Sequence, residues 1–154
     1  MSISININLL KELSKTAGDS FYIFDSSKFT ENYNNFLNAF KKFYDNTIIS
    51  YSYKTNYIPA LVKLAKQLGA YAEVVSEMEY DLAIKIGVEP QKIIVNGPYK
   101  SLDSYKKYLL NGSIVNIDST YEVDIIKKIS KKYHNKTFNI GIRCNFIINS
   151  EYIS

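Results

Sequence analysis

Apolar positions along this chain follow two rhythms that alternate. Phe21-Tyr-Ile-Phe24 is a short apolar run closed by Asp25, read as a first strand. Phe29, Tyr33, Phe36, Leu37 and Phe40 then recur at three- and four-residue steps, the stripe of a helix from roughly Ser27 to Phe43. Thr47 to Tyr53 is the next strand. Pro59, the apolar face Leu61, Leu64, Ala65 and Leu68, and the stop at Gly69 mark the helix after it. Tyr71-Ala-Glu-Val-Val75 repeats the strand, followed by Ser76 and Glu79 as a capping box and a helix reaching Gly87. Lys92 to Asn96 is a strand, Ser101 to Asn111 a helix, and Gly112 its stop. Ser113 to Asp118 is a strand, Ser119 and Glu122 form a second capping box, and Ile125, Ile126 and Ile129 lie on the helix that follows. Thr137 to Cys144 is the last strand. Strand starts recur about every 20–25 residues, one short βα unit each. The pattern predicts an α/β chain with a parallel sheet and leaves open whether that sheet is doubly wound or part of a barrel.

Composition narrows the function classes. At 154 residues and 46% hydrophobic, the chain is long enough for one domain with one core. The formal charge is +4, but Arg143 is the only arginine, and lysines such as Lys127, Lys128, Lys131 and Lys132 fall on helix faces. That pattern reads as solvated helix surface rather than a nucleic-acid interface. Cys144 is the single cysteine, so an internal disulfide and a cysteine-based metal site are excluded and a reducing, cytoplasmic compartment is expected. Residues 1–8 lack a basic leader, and no apolar run approaches the ~20 residues that span a bilayer, so no membrane partner is expected. Gly-x-Gly-x-x-Gly and Gly-x-x-x-x-Gly-Lys-Ser/Thr are both absent.

Chemistry-bearing residues gather at the C-terminal ends of strands: Lys54, Ser76, Asn96, Asp118 and Arg143. In barrels that end carries the active site. On the strand ending at Lys54, Ser50, Ser52 and Lys54 share one face, and Ile49, Tyr51 and Tyr53 share the other. The bulky face suits packing against helices, and the serines leave room for the lysine to reach a cavity. A lysine so placed is a candidate for Schiff-base chemistry with a carbonyl, although by pattern alone it also reads as a strand end reaching for solvent. His134 stands among lysines at a helix end and reads as exposed.

Tyr51-Ser-Tyr-Lys-Thr-Asn56 resembles the cofactor-lysine segment of the pyridoxal-phosphate decarboxylases of fold type III, the family of diaminopimelate, ornithine and related amino-acid decarboxylases, which usually has Tyr-Ala-Val-Lys-Ala-Asn there. Further motifs follow in order. Phe21 to Asp25 is similar to the family's first strand, and Glu73-Val-Val-Ser-Glu-Met-Glu79 to its Asp-Val-Val-Ser-Gly-Gly-Glu. Ile94 to Ser101, Val115 to Ser119 with Glu122, and Gly141-Ile-Arg-Cys-Asn145 are similar to its next strands and turns. Alanine racemases share the barrel and the lysine but continue Lys-Ala-Asn-Ala-Tyr-Gly, whereas Lys54-Thr-Asn-Tyr-Ile-Pro-Ala60 is nearer the decarboxylase form.

The resemblance implies a TIM-type (β/α)8 barrel, here incomplete, with about five parallel strands alternating with helices behind an N-terminal strand and helix. It divides the chain into a helical or irregular extension over residues 1–20 and the N-terminal part of a barrel domain over residues 21–154. It implies pyridoxal 5'-phosphate as cofactor, Lys54 as the catalytic lysine forming the internal aldimine, and Glu73 and Arg143 as cofactor-site residues. Glu73 stands where the family usually has aspartate, so the charge is kept and moved by one methylene. Arg143 reads equally well as a wall of the site or as the partner of a carboxylate such as Asp118. The expected substrate is an amino acid, and the intact enzyme is expected to be a homodimer. An eight-stranded barrel takes typically ~250 residues, so the chain reads as shortened and inactive by itself. The alternatives are a racemase-like enzyme, a non-catalytic half-barrel acting as a binding or regulatory module, and an enzyme assembled from separate chains.

Overall fold

The computed structural model describes residues 6–144. Two helices come first: α1, Ile7–Ala17, and α2, Ser26–Lys41, which begins where the Asp25 side chain accepts the Lys28 N–H at 2.8 Å. Five strands then alternate with four helices: β1 Ser50–Ser52, α3 Pro59–Gln67, β2 Tyr71–Val74, α4 Glu77–Ile86, β3 Ile93–Val95, α5 Leu102–Leu110, β4 Ile114–Ile117, α6 Thr120–Lys132 and β5 Ile140–Ile142. A 3-10 turn, Pro90–Lys92, leads into β3. Among the described residues no helix is long and apolar enough to cross a membrane.

All pairings are parallel and the sheet runs β1-β2-β3-β4-β5, the order of the chain itself. A doubly wound sheet reverses its strand order at a switch point and carries helices on both faces. Among the described residues the strand order does not reverse, which is the order of a barrel wall. Strand alternation decides which side the helices cover. Tyr53, Ala72, Val74, Ile93, Val95 and Val115 are buried in one core with Leu61 and Val62 of α3, Tyr80 and Ala83 of α4, Tyr105, Tyr108 and Leu109 of α5, and Ile126 and Ile129 of α6. The alternate positions Ser52, Glu73, Ile94, Asn96, Ile114, Asn116 and Gly141 are only half-buried. Helices therefore cover the outer face, and the inner face carries the polar row.

Two expectations need correction. Phe21–Phe24 is not a strand: the segment is without regular structure, and Tyr22 is fully exposed. An apolar run favours extended backbone, but a strand exists only by pairing, and no strand among the described residues pairs with it. The Ser119 capping box also fails. Ser76 does accept the Glu79 N–H, at 3.3 Å, but the Ser119 hydroxyl is buried without a hydrogen-bond partner among the described residues. The two glutamates behave alike in one respect: Glu79 accepts the Val75 N–H and Glu122 the Asp118 N–H, each at 2.7 Å, one residue upstream of the expected cap. Strands are also shorter than the apolar runs suggest, β1 and β5 having three residues each.

Candidate functional site

Lys54 occupies a turn directly after β1 and is held from both sides. The buried Tyr53 before it donates its N–H to the Glu73 carbonyl at 2.9 Å. Thr55 after it donates its hydroxyl to the Ser52 carbonyl at 2.7 Å. Asn56 then accepts the Ile58 N–H at 3.0 Å, turning the chain toward α3. Burial, and then the neighbouring Tyr51, push the Tyr53 phenol up to about 12, so this anchor stays neutral at any physiological pH. The backbone around Lys54 is thus fixed while its side chain is exposed, and among the described residues it makes no hydrogen bond or ion pair.

A depression of about 840 Å³ lies on the inner face, lined by Lys54, Glu73, Val75, Asn96, Pro98, Asn116 and Arg143. All three residues expected at the site, Lys54, Glu73 and Arg143, are therefore in one place. Glu73, from β2, accepts a hydrogen bond from the Asn96 amide at its Oε1, 3.1 Å. Asn96 in turn accepts one from the Asn116 amide, also at 3.1 Å. Arg143, just past β5, donates to Asp118 Oδ1 at 2.8 Å. Its two readings are thus both realised: it pairs with Asp118 and lines the depression, and at 55% side-chain exposure the pair is not a buried one.

Behind the rim lies a second ionic arrangement that the sequence did not single out. Lys100 Nζ sits 3.0 Å from Glu122 Oε1, with side-chain exposures of 2% and 0%. The same ammonium donates to the Gly97 carbonyl, in the turn that leads β3 away from the depression, and lies 5.3 Å from the Tyr105 ring centroid. Burial, and next the Glu122 carboxylate, push the Tyr105 phenol far up. One pair therefore ties the turn after β3 to the first turn of α6, where Glu122 also accepts the N–H of Asp118, the partner of Arg143. The sequence marks Lys100 only as part of a turn, since no local spacing signals a contact across 22 residues. Asn116 carries no motif signal, although strand alternation with Ile114 places it on the inner face. Ser76 turns out to cap α4 and Asp118 to hold Arg143.

The polar groups on the depression are one amine and one carboxylate oxygen without partners among the described residues, two amides and one guanidinium. Comparison with known proteins identifies the chain's relatives. The family model "Pyridoxal-dependent decarboxylase, pyridoxal binding domain" matches residues 27–151. Diaminopimelate decarboxylase of Aquifex aeolicus is 34% identical over 140 residues, 88% of this chain and 31% of that protein. The solved diaminopimelate decarboxylase of M. jannaschii superposes with a TM-score of 0.81 at 30% identity, covering 91% of this chain and 33% of that one. The Helicobacter pylori enzyme, complexed with L-lysine, superposes at 0.79 with 28% identity over 88% of this chain and 34% of that one. The chain thus spans about a third of the length of the relatives it matches.

Proposed function

This chain belongs to the pyridoxal-dependent decarboxylase family, matched over that family's pyridoxal-binding domain, and on that premise we propose that it carries the lysine side of a pyridoxal-phosphate site that decarboxylates an amino acid. The observation that supports this most is the convergence of Lys54, Glu73 and Arg143 on one depression at the C-terminal end of a barrel wall. Pyridoxal phosphate, when bound, supplies a carbonyl that an amine can hold and a protonated ring that takes up the electron pair left as the carboxylate departs.

The chain's own residues have distinct tasks in this reading. Lys54 holds the cofactor through Nζ, and its fixed backbone means that only the side chain need move. Glu73 sets a negative charge on the floor beside it. Arg143, steadied by Asp118, sets a positive one on the far wall, suited to a carboxylate of the substrate. The decarboxylase form of the lysine motif and the decarboxylase relatives favour this activity over racemisation. The relatives include diaminopimelate decarboxylases solved with L-lysine, so a diamino acid is the substrate class proposed for the whole protein. A cytoplasmic homodimer is the form proposed for it. Among the described residues only Lys54 and Arg143 bring cationic groups to the depression, and Asp118 engages one of them. The 154-residue chain alone is therefore expected to bind the cofactor weakly and to show no turnover.

Borohydride reduction of the protein with pyridoxal phosphate, followed by peptide mapping, tests the assignment. Label concentrated on Lys54 is expected. Label concentrated on a different lysine would sink it.

A further inference from the structure

Building on the reading of Lys54 as the cofactor amine, we propose that Asn96 and Asn116 are positioning residues: a one-directional row of amides that fixes the Glu73 carboxylate to the floor and keeps its second oxygen on the depression. An ionised carboxylate only accepts hydrogen bonds. Asn96 must therefore turn its NH2 to Glu73 Oε1, at 3.1 Å, and its oxygen toward β4. That oxygen needs a donor and finds Nδ2 of Asn116 at 3.1 Å. The Asn116 oxygen is then turned toward β5, where its cross-strand neighbour is Gly141. A Cβ at position 141 would lie 2.0 Å from that oxygen, so only glycine there lets Asn116 lie along the sheet. Flipping either amide would set two donors or two acceptors face to face. The row thus links β2, β3 and β4 and abuts β5 at Gly141, and Lys54 follows β1.

Stability alone does not call for such a row. The residues are half-buried, so water competes for each link and each adds little to folding. What the row supplies is direction: one carboxylate held at one oxygen, at a fixed place beside an amine.

The test uses the 154-residue chain with pyridoxal phosphate and borohydride, reading label on Lys54 relative to label on the exposed Lys127 as an internal standard. Side-chain amide NMR signals of Asn96 and Asn116 are followed in the cofactor-free protein. Asn116→Ala and Gly141→Ala should each shift the Asn96 amide signals and lower the Lys54 ratio about 3- to 10-fold, the scale of one lost hydrogen bond. Asn96→Asp should lower it at least as far. Combining Asn96→Asp with Glu73→Gln lets the amide introduced at 73 donate to the carboxylate introduced at 96. The melting temperature should then recover while the Lys54 ratio stays low. The proposal is overturned if Asn116→Ala leaves the ratio unchanged, or if the swapped pair restores it. A wild-type chain whose Lys54 is labelled no more than Lys127 would instead overturn the reading of Lys54 and this proposal with it, and every variant would then match wild type.

Discussion

Replacing Lys100 by methionine isolates the buried ion pair. Methionine keeps most of the side-chain volume and removes the charge, leaving the fully buried Glu122 carboxylate with the Asp118 N–H and the neighbouring Tyr105 phenol but no cation among the described residues. At 3.0 Å and an effective dielectric near 20, the attraction removed is about 5–6 kcal/mol. Relaxation and water entry reduce this, and breaking a buried pair from one side typically costs about 3–5 kcal/mol. Against a domain stability of roughly 5–15 kcal/mol that is a large share. Glu122→Gln should cost a similar amount, because it strands the ammonium while still accepting the Asp118 N–H. Lys100→Met combined with Glu122→Gln removes both charges and keeps that acceptor, so it should be more stable than either single variant. Urea unfolding followed by circular dichroism, with slopes compared to exclude a change of state, measures all four proteins. The reasoning is refuted if the double variant loses the sum of the single losses, or if Lys100→Met costs less than about 1 kcal/mol.

Three further outcomes are expected. Gly97→Ala places a Cβ 2.1 Å from the Val75 carbonyl oxygen, a backbone atom that cannot move aside, and should lower stability by more than about 2 kcal/mol in the same unfolding assay. Ser76→Ala should cost about 1 kcal/mol because it removes a cap, while Ser119→Ala, whose hydroxyl caps nothing, should cost less; equal losses would contradict the two geometries. Burial raises the phenols of Tyr53, Tyr105 and Tyr108, Tyr53 to about 12. A raised folded-state value leaves stability level below pH 10 and erodes it as the unfolded chain ionises first, so melting temperature should fall from about pH 10 upward, and tyrosinate absorbance should rise in step with unfolding.

Much of this architecture was legible from residue order. The two rhythms located each βα unit, and alternation about Lys54 correctly sent Tyr51 and Tyr53 to the helices and the serines inward. Ser76 was legible as a cap because capping is a contact between neighbours in sequence. Ser119 has the same spacing to its glutamate and Glu122 takes the upstream N–H just as Glu79 does, yet the Ser119 hydroxyl caps nothing; spacing alone does not separate the two serines. Phe21–Phe24 misled for a different reason: its composition reports a preference for extended backbone, whereas pairing depends on where another strand lies. The amide row could be anticipated only in part. Period two puts Asn96 and Asn116 on one face, but which oxygen meets which hydrogen depends on strand register, and the need for glycine at 141 appears only with the Asn116 side chain in place.

The identity of sheet order and chain order bears on how the wall is made. Among the described strands each one after β1 lies beside the strand made just before it, and loop closure in each step spans little more than one helix. A chain emerging residue by residue can add each unit to a growing edge, with the newest strand always the next template.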